Sequence, residues 1–445
     1  MKLGDVDGLR VAVWGAGREG REALRVFTPG NDVSLVVDDP TDSGATALAG
    51  EAGVPLHPAT VEHLLEADVI VRSPGVSRYR AELTATRAAG VEDTGLVALW
   101  LAERGSGGTI GVTGTKGKST TSWLCRAFLN AAGHPAVLAG NIGVPVTTVD
   151  PAAPLVVVEV SSYQAADVVT SPQVGVLTSL GEDHLPWHGS VQQYRADKLN
   201  LFAHAGLQHL VVESADPNAV AATVGRPERV LTGAGRWRLD GGALVAGDER
   251  VELGDVLGRA HYALDALLAV TAVEALLAAP LPAPAVAAVA DAFTGLPARQ
   301  QLVATHRGVR YVDDALASNP AATLAAVDAF AGPGAAGATT PVVLILGGAD
   351  RGVDHGDLLA ALPGRVGAVV LLSETGQRLA AAIDDLGVRT VLLDTDDVAD
   401  AVATASTLAE AGGVVLFSPA APTPAAVGTY EHRSARFAAA VAALR

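Results

Sequence analysis

The stretch Gly111–Thr121, GVTGTKGKSTT, constrains this chain more than any other. Thr109-Ile110 leads into it after a Gly/Ser turn. SWLCRAFLNAAG follows, with Trp123, Leu124, Ala127 and Phe128 at helical spacing. The stretch therefore reads as strand, glycine-rich loop and helix. Such a loop turns successive backbone N–H groups, and the positive end of a helix, toward an anion. Lys118 would reach the terminal phosphates of a nucleotide, and the Ser119 hydroxyl suits Mg²⁺. The strict G-x-x-x-x-G-K-[ST] string is not met, because Gly111 lies one residue too far upstream. The reading rests on Gly114, Gly117, Lys118, Ser119 and the strand–helix context. Thr115, Lys116 and Thr120 complete the candidate ATP-binding loop.

A chain of 445 residues has room for roughly two to four domains, each with its own core. Hydrophobic residues make up 49%, which excludes a disordered chain. The formal net charge of −17 argues against nucleic acid or anionic lipid as a general partner, so an anionic substrate needs local cations. Cys125 is the single cysteine, so no internal disulfide can form, in keeping with a cytoplasmic protein. The start, MKLGDVDGLR, lacks the apolar core of a signal peptide. The Ala-rich stretch near 266–290 is broken by Glu274 and three prolines, and no membrane span is expected.

Residues 9–14, LRVAVW, read as a buried strand. Gly15, Gly17 and Gly20 follow in G-x-G-x-x-G spacing, then a helix from about Glu19 to Phe27. A second strand, VSLVVDD, ends in Asp38 and Asp39. This is a nucleotide-binding βαβ pattern, with diphosphate expected at the glycine turn. A third strand, ADVIVRSPGV, ends in Ser73-Pro74-Gly75, and Glu103–Gly108 reads as a linker.

From 109 to about 297 runs a second α/β unit. Its strands lead to VLAGNIG with Asn141, to Glu159 followed by Ser161 and Ser162, and to a polar turn with Asp183, His184 and His188. The next helix carries Lys198. In a parallel sheet the carboxyl ends of the strands line one crevice, so Glu159 and His184 should converge on the phosphates. A hydroxyl and a carboxylate suit Mg²⁺, which takes oxygen ligands and keeps waters. A third unit starts near 298 with strands alternating with Ala-rich helices, a doubly wound sheet. Its strand ends carry Asp313, Asp314, Arg351, Ser418 and Thr423.

Taken in order, TGTKGKST, GNIG, EVSSYQ, DHLPWHGS with Lys198, GLPARQ, DDALASNP, LGGADRG, and SPAAPTP followed by YEHR resemble the Mur ligases of peptidoglycan precursor synthesis, in their glutamate-adding branch. The resemblance covers nearly the whole chain. It implies three α/β domains: a Rossmann-like UDP-sugar domain over 1–106, a central P-loop ATPase-type domain over 107–297, and a Rossmann-like amino-acid domain over 298–445. It implies that ATP phosphorylates the carboxylate of a UDP-N-acetylmuramoyl peptide and that an amino acid's amine then displaces phosphate. Lys118, His184 and Lys198 would be catalytic. Ser119 and Glu159 would hold one Mg²⁺, and His184 with a carbamylated Lys198 a second. Gly15, Gly17, Ser73, Asn141 and Ser162 would meet the UDP-sugar, and Arg299 and Asp314 the nucleotide. Arg351, Ser418 and Thr423 would meet the amino acid, with domain closure over ATP. A monomer working on small molecules is expected. Glu431 and Arg433 of YEHR read as structural.

The departures from the D-glutamate-adding pattern are informative. Leu316 stands where a lysine is expected beside the incoming glutamate, and Arg351 is the nearest cation in GGADRG. Thr423 and Val427 replace a serine and a phenylalanine. HYALD, with Tyr262 and Asp265, replaces a His-Asn…Asn string of adenine contacts. The catalytic centre is kept while the amino-acid pocket is rebuilt, which favours the branch that adds L-glutamate. The alternatives are the D-glutamate ligase, a folate or poly-amino-acid ligase sharing the central domain, and a non-catalytic nucleotide-binding subunit of a cell-wall complex.

Overall fold

The computed structural model describes residues 1–226, 228–331, 341–350, 352–424 and 426–444. They form two compact units, Met1–Phe293 and Thr294–Arg445. The first unit begins with a five-stranded parallel sheet in the order Leu56–Pro58, Asp32–Val37, Arg10–Trp14, Val69–Arg72, Glu92–Thr94. Val11 to Trp14 are all buried, as a parallel strand covered on both faces requires. The helix Arg18–Phe27 starts one residue before its expected position. Gly20 explains how it fits: a Cβ there would lie 1.7 Å from the Gly15 carbonyl oxygen. Only glycine lets the helix close on the turn.

The same unit holds a six-stranded parallel sheet. Its order is Arg229–Leu231, His209–Val212, Val174–Leu177, Thr109–Thr113, Val156–Glu159, Val137–Gly140. The phosphate-loop strand Thr109–Thr113 thus lies between the strands that end at Glu159 and Leu177. A three-stranded antiparallel sheet, Arg238–Asp240, Ala243–Ala246 and Glu249–Glu252, follows.

The second unit is a six-stranded mixed sheet in the order Gln301–His306, Val309–Asp313, Val414–Phe417, Val342–Gly347, Val366–Leu372, Arg389–Leu392. Alternate residues of Val342–Gly347 feed two cores: Val342, Leu344 and Leu346 one side, Val343 and Ile345 the other. The edge strand Gln301–His306 runs antiparallel to its neighbour and was not anticipated. It is only half-buried, so it lacks the continuous apolar run that marks the central strands. Arg433 is buried, donates to the Gly347 carbonyl at 2.9 Å and lies 5.0 Å over the Phe417 ring. It braces the sheet as expected.

Ala260–Leu277 is the one helix among the described residues long and apolar enough to cross a membrane. It is apolar on most sides because it is a core helix, packed against Lys118–Ala131 behind the phosphate loop. Asp265 sits on this buried face. It accepts a hydrogen bond from the Thr121 hydroxyl at 3.1 Å, and a Cβ at Gly117 would lie 2.5 Å from its Oδ1. Burial pushes this carboxyl up to about 8. The folded chain therefore keeps a proton that the unfolded chain has released near pH 4, roughly the ordinary aspartate value. Stability should fall as pH rises between those two values. Asp265→Asn keeps the shape without the charge. Its advantage in Tm should be small near pH 5, grow through neutrality to several degrees, and level off above about pH 8. A difference constant across that range would show that Asp265 does not titrate in the folded protein.

Candidate active site

The loop after Thr113 turns through two glycines that no other residue could replace. Gly114 has φ +157°, and a Cβ there would lie 1.9 Å from the Thr178 hydroxyl; Gly117 has φ +86° and caps the helix Lys118–Ala131. The Thr115 amide donates to the Ser179 carbonyl, and the Lys116 amide to the Ser179 hydroxyl at 2.8 Å. The loop is thus anchored to the residues that follow the neighbouring strand Val174–Leu177.

Two lysines meet at one oxygen. The Gly114 carbonyl accepts from Lys118 Nζ at 2.9 Å and from Lys198 Nζ at 2.9 Å. Lys198 is buried, 4.9 Å over the Tyr194 ring. Burial, and then the charge of Lys118, drive its ammonium well below the ordinary lysine range, toward the neutral amine.

Glu159 ends its strand fully buried. Its Oε1 accepts from Asn141 Nδ2 at 2.6 Å, while its Oε2 is buried without a protein partner. Ser119 is buried in the first turn of the loop's helix. An orphaned carboxylate oxygen with a hydroxyl is an oxygen-only donor set that fits Mg²⁺. Among the described residues no three His, Cys, Asp or Glu side chains cluster as a metal site. His184 adopts φ 52° at the start of the short helix Leu185–His188 and is half-exposed, with Asp183 at 3.6 Å. Partial burial lowers its imidazolium pKa.

A cavity of about 170 Å³ is lined by Thr115, Lys118, Asn141, Ser162, His184 and Lys198, whereas Ser119 and Glu159 are not among its lining residues. A second cavity, of about 420 Å³, opens at the first sheet and is lined by Gly15, Gly17, Ser73 and Asn141, with Arg18, Glu19 and Glu22. Asn141 and Pro74 line both, so the expected UDP-sugar contacts adjoin the expected phosphoryl-transfer site.

Asp197, Tyr79, Tyr163 and Tyr194 went unforeseen, as did the partners of His188 and Ser162. His188 Nδ1 pairs with Asp197 Oδ2 at 2.6 Å and His188 Nε2 with Ser162 Oγ at 3.0 Å. Tyr79 donates to Asp197 Oδ1 at 2.5 Å. His188, Asp197 and Ser162 are buried while Tyr79 is exposed, and this chain orients the Ser162 hydroxyl. Tyr163 and Tyr194 also line the smaller cavity. Spacing does not reveal such pairings. The one available signal was His188 four residues after His184.

In the second unit, Asp314 and Ser418 meet. The buried Ser418 hydroxyl donates to Asp314 Oδ2 at 2.7 Å, and the Gln300 amide donates to Asp314 Oδ1 at 3.1 Å. Burial pushes Asp314 up to about 7, and the charge of Arg299 opposes that rise. Leu316 packs against the apolar core. Thr423 is half-buried, and Arg351 lies outside the described residues.

Residues 112–233 match the Mur ligase middle domain and residues 298–421 the glutamate ligase domain of Mur ligases. The chain is 40% identical to a UDP-N-acetylmuramoyl-L-alanine–L-glutamate ligase of a Micromonospora species, over 99% of this chain and 98% of that one. It is 39% identical to the enzyme of that name from Salinispora tropica, over 99% of both chains. Among solved structures, the UDP-N-acetylmuramate-alanine ligase MurC of Thermotoga maritima superposes with a TM-score of 0.56 at 18% identity, covering 98% of this chain and 99% of that one. The MurF ligase of the same organism, in complex with ADP, gives 0.55 at 17% over 99% and 97%. At that identity the structures speak for the fold alone. The glycine loop, the two parallel sheets and the full-length identity together place this chain in the Mur ligase family.

Proposed function

We propose that the chain joins L-glutamate to UDP-N-acetylmuramoyl-L-alanine, consuming ATP and releasing ADP and phosphate. The observation that carries the reading is the cavity that gathers Lys118, Asn141, Ser162, His184 and Lys198 beside the UDP-sugar cavity. The relatives' names supply the substrates, at up to 40% identity across the whole chain. The division into a UDP-sugar domain over 1–106, an ATPase domain over 107–297 and an amino-acid domain over 298–445 belongs to the same reading, as does a cytoplasmic site of action.

A free carboxylate acylates poorly, so the alanyl carboxylate must first attack the γ-phosphorus of ATP. An acyl phosphate forms and ADP leaves. The amine of glutamate then attacks the acyl carbon, loses a proton and expels phosphate. Lys118 would turn from the loop carbonyls to the transferring phosphoryl group and offset its charge. Ser119 and Glu159 would hold one Mg²⁺, and His184 with Lys198 a second, and bound there the ions would offset the charge between the two anionic reactants. The loop amides bind the other phosphates.

Lys198 acts in this scheme as a carbamate. Two ammonium groups on one carbonyl oxygen repel each other. A neutral Lys198 amine adds to CO₂ and releases a proton, which turns the pair into an anion beside a cation and supplies an oxygen ligand. Lys198→Ala should be inactive and partly rescued by a small added carboxylate, and Lys118→Ala should lose at least about a hundredfold in kcat. Full activity of Lys198→Arg would contradict the carbamate, because a guanidinium stays cationic.

L-Glutamate is preferred because Leu316, packed against the core of its unit, cannot pair with a carboxylate or leave one comfortably desolvated. Arg351 offers a bidentate partner by its chemistry. With ATP, Mg²⁺, UDP-N-acetylmuramoyl-L-alanine and both glutamate enantiomers at equal concentration, chiral analysis should find L-glutamate in the product. Product containing mainly D-glutamate would overturn the stereochemical assignment and leave the ligase reading intact.

A further inference from the structure

The cavity at the G-x-G-x-x-G turn is short of positive charge. Arg18 is the single basic side chain among its lining residues, against Glu19 and Glu22. The helix Arg18–Phe27 begins at this point, where its N-terminus and the glycine turn attract a diphosphate. Glu22 is neutralised, since Arg25 donates to it at 2.6 Å and the Thr147 hydroxyl donates as well.

Glu19 has no such cation. Its Oε1 accepts from the Gln164 amide, and its Oε2 is buried without a protein partner. Of its charged neighbours, Arg18 favours the ionised form through its charge and Asp167 opposes it, and burial has a larger effect than either. Arg18 donates to the Gly143 carbonyl at 3.1 Å. Arg72, which shares a smaller recess with Glu19, is held by Asp93 at 2.7 Å and by Asp167 at 2.5 Å. Tyr163 and Gln164 complete that side, and Asp167 adds negative charge. An ionised Glu19 would therefore be largely desolvated within the lining of the cavity where a diphosphate is expected.

We propose that Glu19 works in its neutral form, donating a hydrogen bond from its carboxyl to the substrate's diphosphate, so that binding the UDP-sugar takes up a proton. The proposal rests on the reading of this cavity as the UDP-sugar site. A carboxyl is suited to the role only when protonated, because a carboxylate is an acceptor alone and would repel the phosphates. Burial already raises Glu19 to about 7 in the free protein. A neighbouring dianion disfavours the charged form further, and a hydrogen bond donated by the neutral form raises its pKa again. The sign follows: between the free and bound pKa values the complex holds more protons than its parts. Affinity should therefore fall toward tenfold per pH unit as pH rises above about 7.

UDP-N-acetylmuramoyl-L-alanine is a fair probe, since neither its diphosphate diester nor its carboxylate titrates near neutrality. Its binding to the full chain at pH 8 is measured by titration calorimetry in two buffers of different ionisation enthalpy. The heats should differ by an amount equal to uptake of roughly half a proton or more per site. Glu19→Gln, which presents an amide donor without a titrating proton, should bind with heats that agree between the buffers. Its affinity should vary little from pH 6.5 to 8.5. Wild-type binding with equal heats in both buffers would overturn the proposal while leaving the UDP-sugar site standing. So would undiminished uptake in Glu19→Gln. No binding by the wild type would overturn both.

Discussion

The carbonyl oxygen of Gly114 is the point on which the site depends. Lys118 and Lys198 both donate to it at 2.9 Å, from positions that are distant in sequence and adjacent in space. Two cations against one dipole are tolerable only if one gives up its charge or a strong anion arrives. Burial of Lys198 favours the first outcome, and the glycine loop is built for the second. The same geometry that sets two amino groups against one carbonyl suits the arrival of phosphates. Glu159 repeats the pattern, with one oxygen satisfied by Asn141 and the other left without a protein partner. These groups are placed close to the charge that the reactants would bring, and Lys118 would have only to turn from the loop carbonyls to meet it.

Much of this was legible because it is local. A strand, a glycine turn and a helix write themselves into a short stretch, and strand ends of a parallel sheet converge by topology. That logic led to the expectation that Glu159 and His184 converge on the phosphates, while the role of Lys198 and the replacement of the family's usual lysine by Leu316 came from the resemblance to the family's motifs. What could not be read is non-local and non-periodic. The Tyr79–Asp197–His188–Ser162 chain joins residues from separate segments, and none of them sits at a motif position that announces its partner. Glu19 falls inside the G-x-G-x-x-G string as one of its unspecified positions, so the pattern carries no hint of its burial. The edge strand Gln301–His306 escaped because a half-buried strand has no continuous apolar run.

A net charge of −17 sets the wider constraint. A chain this acidic that handles a nucleotide, a UDP-sugar and a dicarboxylic amino acid cannot rely on a diffuse positive field. It gathers Lys118 and Lys198 at one loop instead, and burial raises the pKa of carboxyls near the expected ligands. Asp265 behind the phosphate loop, Glu19 at the sugar cavity and Asp314 in the second unit are all pushed up by burial, to about 8, 7 and 7. Each lies where a phosphate-bearing ligand is expected, and each would otherwise repel it.

The claim that the loop cavity makes an acyl phosphate is tested most directly by isotope transfer. UDP-N-acetylmuramoyl-L-alanine carrying oxygen-18 in its alanyl carboxylate is turned over with ATP, Mg²⁺ and L-glutamate, and the released phosphate is examined by mass spectrometry. If the carboxylate attacks ATP and the amine then displaces phosphate, the label moves from the carboxylate into phosphate, about one atom per turnover. Unlabelled phosphate formed alongside peptide product would mean that the carboxylate oxygen never bonds to phosphorus, and would contradict the account.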